Sequence, residues 1–124
     1  MAKILIAEDN DMNIRLFSDL LKSKNYEVFE CRNGGKIISM VQKVRPDLIL
    51  MDIQMPEIDG LTATKMIRKT PKISDTKIIA VTAFALDGDA ERILAAGVNA
   101  YISKPISIPV FFQTIEDTLK SNAG

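Results

Sequence analysis

PDLILMDIQMPEIDG, residues 46–60, is the stretch whose reading decides the fold. Four apolar residues, Leu48 to Met51, run straight into a carboxylate, Asp52, and the chain then turns. A short apolar run that does not alternate with polar residues indicates a strand covered on both faces, as in a parallel sheet. Pro56 biases Met55 toward an extended conformation, and Asp59-Gly60 supplies a turn before the next helix. A rigid strand that ends in an acid and bends away is expected to leave the Asp52 carboxylate accessible at the edge of the sheet.

The same pattern recurs on both sides. Further apolar runs are Ile4–Ala7, Tyr26–Cys31, Ile78–Val81 and Ala100–Ile102. Between them lie segments with helical spacing. Leu16, Phe17, Leu20 and Leu21 are expected to share one face of the first, and Ile37, Ile38, Val41 and Val44 one face of the second. A third runs from Leu61 to about Lys69. A fourth, Leu86 to Ala96, has a thin apolar face of Leu86, Ala90, Ile93 and Leu94, with Gly88 inside it. The last starts near Ser107, a good N-cap, and is expected to bury Ile108, Phe111, Phe112, Ile115 and Leu119. Five βα units with right-handed crossovers predict an α/β, flavodoxin-like (βα)5 fold. Its doubly wound parallel sheet takes the order 2-1-3-4-5 and binds ligands at the ends of strands 1 and 3.

Composition removes several function classes. The chain has 124 residues, the size of one domain. Lys plus Arg and Asp plus Glu are 16 each, so charge makes no case for nucleic acid or an acidic membrane. The N-terminus is not a signal peptide, and no apolar stretch could span a bilayer, so a cytoplasmic protein without membrane insertion is expected. Cys31 is the only cysteine, which excludes an internal disulfide and suits a reducing compartment. There is no histidine. Histidine-based triads and metal sites are therefore excluded, and any phosphohistidine chemistry must use a histidine on another molecule.

Polar residues gather where the predicted strands end. Glu8 and Asp9 follow strand 1, Asp52 follows strand 3, Thr82 strand 4, and Ser103, Lys104 and Pro105 strand 5. Strands 1 and 3 are neighbours in the predicted order, so three carboxylates converge on one crevice. They repel one another unless a hard cation intervenes. Mg2+ takes oxygen ligands and keeps several waters that phosphoryl oxygens can replace. A hydroxyl, Thr82, and an ammonium, Lys104, complete what is needed to hold a phosphoryl group beside a nucleophilic oxygen. Asp52 stands alone and is the nucleophile candidate; Glu8 and Asp9 are paired as a metal clamp, and the Gln54 carbonyl is a further candidate ligand. Each residue also has a plainer role: Glu8-Asp9 as a solvated turn or helix cap, Thr82 as a strand-end β-branched residue, Lys104 as a surface charge. It is their combination that points to chemistry.

With ILIAEDN, DLILMDIQMP, AVTAFA and YISKPI in this order, the chain resembles the receiver domain of bacterial two-component response regulators, in particular their single-domain cell-division members. The resemblance covers nearly the whole chain. It implies one receiver domain over residues 1–124 with no output domain. It implies that Asp52 accepts a phosphoryl group from a histidine of a sensor kinase or phosphotransfer protein. Asp9, Asp52 and the Gln54 carbonyl then bind Mg2+ directly, with Mn2+ able to substitute, while Glu8 acts through water. Thr82 and Lys104 contact the phosphoryl group, Tyr101 changes rotamer, and Lys104-Pro105 is cis. Phe84, two residues past Thr82, is expected to limit water access and prolong the phosphoryl lifetime. Ile14 and Arg15 on the first helix are expected to dock the kinase near the Asp52 crevice. A surface of the fourth helix, fifth strand and fifth helix is expected to bind a downstream protein. The acidic pair is Glu-Asp where Asp-Asp is usual in the family.

The implied function is a monomeric signalling protein and not an enzyme, beyond self-phosphorylation from small donors and self-dephosphorylation. Three other readings fit less well. An aspartate-nucleophile phosphatase needs a second acid two residues past its nucleophile, where Gln54 stands here. A flavin carrier needs a phosphate-binding loop after strand 1, where the chain has EDNDMN. A constitutive receiver-like adaptor would lack one of the acids or the lysine, and none is missing.

Overall fold

The computed structural model describes residues 1–83 and 89–121. Five strands alternate with five α-helices: β1 (Lys3–Ala7), α1 (Asp11–Ser23), β2 (Glu27–Cys31), α2 (Ile37–Val44), β3 (Leu48–Asp52), α3 (Gly60–Arg68), β4 (Lys77–Thr82), α4 (Asp89–Ala95), β5 (Ala100–Ser103) and α5 (Ile108–Lys120). All pairings are parallel, in the order β2-β1-β3-β4-β5. The predicted order and strand positions agree with this sheet. Phe84, Leu86 and Gly88, singled out from the sequence, lie outside the described residues.

Each inner strand serves two cores because successive side chains point to opposite faces. Leu5, Ala7, Ile49, Met51, Ile78 and Ala80 face α2, α3 and α4. Ile4, Ile6, Leu48, Leu50, Ile79 and Val81 face α1 and α5, where Phe17 and Phe111 stack with ring centroids 5.7 Å apart. Strand β3 is buried at all five positions, Asp52 included, which is why it reads as an unbroken apolar run.

Several helix faces differ from their predicted composition. On α1 the buried stripe is Ile14, Phe17, Ser18 and Leu21, while Leu16 is exposed. At about 100° per residue, positions 14, 17, 18 and 21 share one face and 16 lies on the far side. On α4, Ile93 is buried and Leu94 exposed; on α5, Ile108 is exposed at the first turn and Thr118 is buried. Ser107 occupies the N-cap position of α5 without a side-chain cap hydrogen bond. Among the described residues no helix is long and apolar enough to cross a membrane.

The β3–α3 connection is held by close backbone contact. Asp59 is the N-cap of α3 and accepts from Thr62 N; Gly60, predicted as a turn residue, is the first residue of the helix. Gly60 N donates to Ile53 O at 2.8 Å, and a Cβ on Gly60 would lie 2.2 Å from the Asp52 carbonyl oxygen. Gly60→Ala therefore forces backbone apart directly behind Asp52 and is expected to cost about 1–3 kcal/mol, the usual range for overpacking. Gly35→Ala meets side chains and no backbone, the end of Glu57 at 2.3 Å and Asn33 Oδ1 at 3.1 Å, and should cost clearly less. Urea denaturation of the two variants checks this; equal losses would refute the backbone contact as the cause.

Candidate functional site

Strand register assembles the site. Ala7 pairs with Met51 and Asp52 pairs with Val81, so one residue beyond Ala7, Glu8, arrives beside Asp52. Thr82 follows Val81 and pairs with Ser103. Lys104 N then donates to Thr82 O at 2.7 Å, which extends this pairing and brings Lys104 to the same edge. The Lys104-Pro105 peptide is cis.

Carboxylate oxygens of Glu8, Asp9 and Asp52 lie within 4.8 Å of one another. Lys104 Nζ is 3.6 Å from both Glu8 Oε1 and Asp52 Oδ2 and so bridges the two buried acids. Asp52 is only 6% exposed, less open than a carboxylate at a free sheet edge; it is reached through a cleft lined by Glu8, Asp9, Asn10, Asp11, Asn13, Gln54 and Lys104. Its Oδ1 accepts from Gln54 N at 3.1 Å, which orients the carboxylate as the chain leaves the strand. Thr82 is buried one strand away.

The acidic pair is divided in role. Glu8 is buried, and its Oε2 accepts from Asp9 N at 3.1 Å and Asn10 N at 3.4 Å. Its Oε1 accepts from Asn13 Nδ2 at 3.0 Å. Asp9 is exposed, and the N-cap of α1 is Asn10, whose side chain accepts from Asn13 N. Because Asn10 does the capping, the Asp9 carboxylate is left for the cleft. Burial pushes the Glu8 carboxyl above the ordinary carboxylate range; the neighbouring Asp52 adds to this, and Lys104 and Asn13 counteract it.

The donor set fits a hard divalent cation. It consists of oxygen ligands, and three carboxylates this close are compensated by a single lysine. Gln54 lines the same cleft, next to Asp52.

The remaining predicted residues are placed differently. Tyr101 is on β5, paired with Ala80, and is 37% exposed. Ile14 is 3% exposed and packs in the α1–α5 core, so its side chain cannot itself form a docking surface. Arg15 is exposed and lines, with Ile14, a groove between α1 and the end of β2 that meets the Asp52 cleft at Asp11. Pro105 is exposed. Asn13 and the Asp11–Arg32 ion pair at the rim went unnoticed in the sequence. The spacing Asn10-x-x-Asn13 was the available signal for the first, since it places a side chain where it can reach back past the N-cap.

A profile of the response regulator receiver domain matches residues 4–116. The polar-differentiation response regulator DivK of Brucella anthropi is 48% identical over 116 residues, covering 94% of each chain; that of Brucella ovis is 47% identical with the same coverage. The receiver domain of the sensor histidine kinase PA1611 from Pseudomonas aeruginosa, solved with a magnesium ion coordinated in its active-site cleft, superposes with a TM-score of 0.89 at 35% identity, covering 97% of this chain and 98% of that one. The chemotaxis protein CheY4 of Vibrio cholerae gives a TM-score of 0.87 at 25% identity, covering 95% and 98%.

The raised Glu8 pKa makes a prediction for the metal-free protein. A carboxyl whose folded pKa exceeds its unfolded value imposes no penalty at low pH, where both states are protonated. The penalty grows as pH rises through the ordinary glutamate range and is complete above the folded pKa. The melting temperature of Glu8→Gln relative to the native protein, measured in EDTA, should therefore become more favourable to the variant from pH 4 to pH 7, by about a few degrees. A difference independent of pH would show that Glu8 ionises without penalty.

Proposed function

This chain belongs to the response regulator receiver domain family, and from that premise we propose that it is a single-domain response regulator. It takes a phosphoryl group onto Asp52 in a Mg2+-dependent reaction and signals through altered protein binding. The observation that carries this reading is the convergence of Glu8, Asp9 and Asp52 with Lys104 3.6 Å from the Asp52 carboxylate. The donor is a phosphohistidine of a sensor kinase or phosphotransfer protein, since this chain has no histidine. Likeness to the DivK polar-differentiation response regulators favours a role in polar-differentiation control.

An Asp52 carboxylate oxygen attacks the donor phosphorus. The P–O bond forms as the P–N bond to the imidazole breaks, and the bonding pair stays on the departing nitrogen. Gln54 N holds Oδ1, which leaves Oδ2, on the Lys104 side, to attack. Asp9, Asp52 and the Gln54 carbonyl would hold Mg2+, and the bound ion supplies neutralisation of the phosphoryl oxygens. Lys104, released from its bridge to Asp52 as that carboxylate becomes an acyl phosphate, donates to a phosphoryl oxygen. Thr82 supplies a hydroxyl from the adjacent strand. Nothing in this sequence requires a base, which fits Gln54 standing where a phosphatase needs a second acid.

Incubation with acetyl phosphate and Mg2+, followed by intact-mass analysis, should add one phosphoryl group to the native protein and none to Asp52→Asn. Labelling that persists in the variant or in EDTA refutes the reading. A constitutive adaptor would take up no label at all.

Output is proposed to run from Thr82 to Tyr101, since the backbone bond between Lys104 and Thr82 joins the end of β4 to the end of β5. Thr82→Ala should still accept the phosphoryl group, but the shift of the Tyr101 ring resonances on phosphorylation should fall by more than half. An unchanged response would remove Thr82 from the coupling.

A further inference from the structure

We infer that Asn13 is a positioning residue that lets a glutamate serve at position 8, by fixing the longer side chain in one orientation at the acidic cluster, beside Asp52 and Lys104. The inference rests on the proposed Mg2+ site. Glutamate is one methylene longer than aspartate, and an unrestrained Glu8 could take several orientations beside Asp52 in the cleft. Instead both of its oxygens are occupied. Oε2 takes the Asp9 and Asn10 N–H groups, and Oε1 takes Asn13 Nδ2 at 3.0 Å while facing Lys104 at 3.6 Å. Asn13 is itself fixed, because its backbone N–H binds the Asn10 side chain at 3.0 Å. The N-cap of α1 thus fixes Asn13, and Asn13 fixes Glu8.

The arrangement departs from the usual reciprocal cap, in which the side chain of the third helical residue returns to the N-cap N–H. Here Glu8 accepts from that N–H at 3.4 Å, and the third helical side chain is redirected onto Glu8. Helix capping and the acidic site are one hydrogen-bond network. Removing the Asn13 amide leaves a buried carboxylate oxygen short of a donor. Oε1 is then left with Lys104 alone, at 3.6 Å, and the orientation of Glu8 beside Asp52 is no longer fixed. A metal entering the cleft must reorder that side chain, so affinity falls through lost preorganisation.

The test is a double-mutant cycle on the full chain, with Mg2+ titrated in the absence of any phosphoryl donor and followed by backbone amide resonances. Asn13→Ala should weaken Mg2+ binding about tenfold, the order of one hydrogen bond to a charged group. In the Glu8→Asp background the shorter carboxylate does not reach Asn13, and the same substitution should change affinity less than about twofold, within the scatter of independent sites. Metal-free melting temperatures report the helix-capping effect separately, and this should be the same in both backgrounds. An equal loss of affinity in both backgrounds, or none in either, overturns the inference while leaving the metal site standing. A native protein that does not bind Mg2+ overturns both.

Discussion

The rest of the structure depends on holding three carboxylates within 4.8 Å of one another at the edge of a sheet. Unlike a surface cluster, this one cannot relieve itself by swinging side chains into water, because Glu8 and Asp52 are buried. Two unit charges at such a separation repel by several kcal/mol at the effective dielectric of a protein interior. The fold opposes this in three ways. Parallel register fixes Glu8 beside Asp52 without freedom to slip, since a one-residue shift would turn every apolar side chain of β1 to the wrong core. Backbone N–H groups of Asp9, Asn10 and Gln54 point at the acids. Lys104 is shared between the two buried ones. What remains uncompensated is what a divalent cation would satisfy, so an unfavourable arrangement is retained at one edge and balanced by the two cores behind it.

The sheet was legible because its signal is redundant. Each inner strand is buried on both faces, so an apolar run marks it whatever its register, and the acid that ends β3 marks where the run reaches the edge. The convergence of Glu8, Asp9, Asp52, Thr82 and Lys104 followed from strand order alone, since strand ends lie at one edge whatever the helices do. Helix faces were less legible. Counting apolar residues placed Leu16 inside α1, but the face is set by geometry, and the stripe through Ile14, Phe17 and Leu21 takes a serine, Ser18, in preference to an off-axis leucine. The same physics turns most of Ile14 into the core and leaves Arg15 in a groove that adjoins the cleft at Asp11. Asn13 was invisible for another reason. Its role depends on a hydrogen bond to a residue outside its own helix, and no periodicity reports that.

The near-burial of Asp52 alters how its reactivity should be understood. A carboxylate at an open edge would meet any phosphoryl donor from many directions. At 6% exposure, with Oδ1 held by Gln54 N and Oδ2 facing Lys104, it offers one oxygen along one cleft. On the proposed function, selectivity for a donor would rest on which molecules can bring a phosphorus atom into that cleft in line with Oδ2. A small acyl phosphate would enter unaided, whereas a histidine would need a partner surface that seats around the rim. The rim carries Asp11 paired with Arg32, both exposed, next to Asp9. The proposed output would start from the same residues. Lys104 is joined to the end of β4 through its backbone N–H bond to Thr82 O, and Tyr101 lies on the strand that leads into it. In a site this closed, the lysine that compensates the charge of Asp52 is, on the proposed function, also the residue that a change in that charge would reach first.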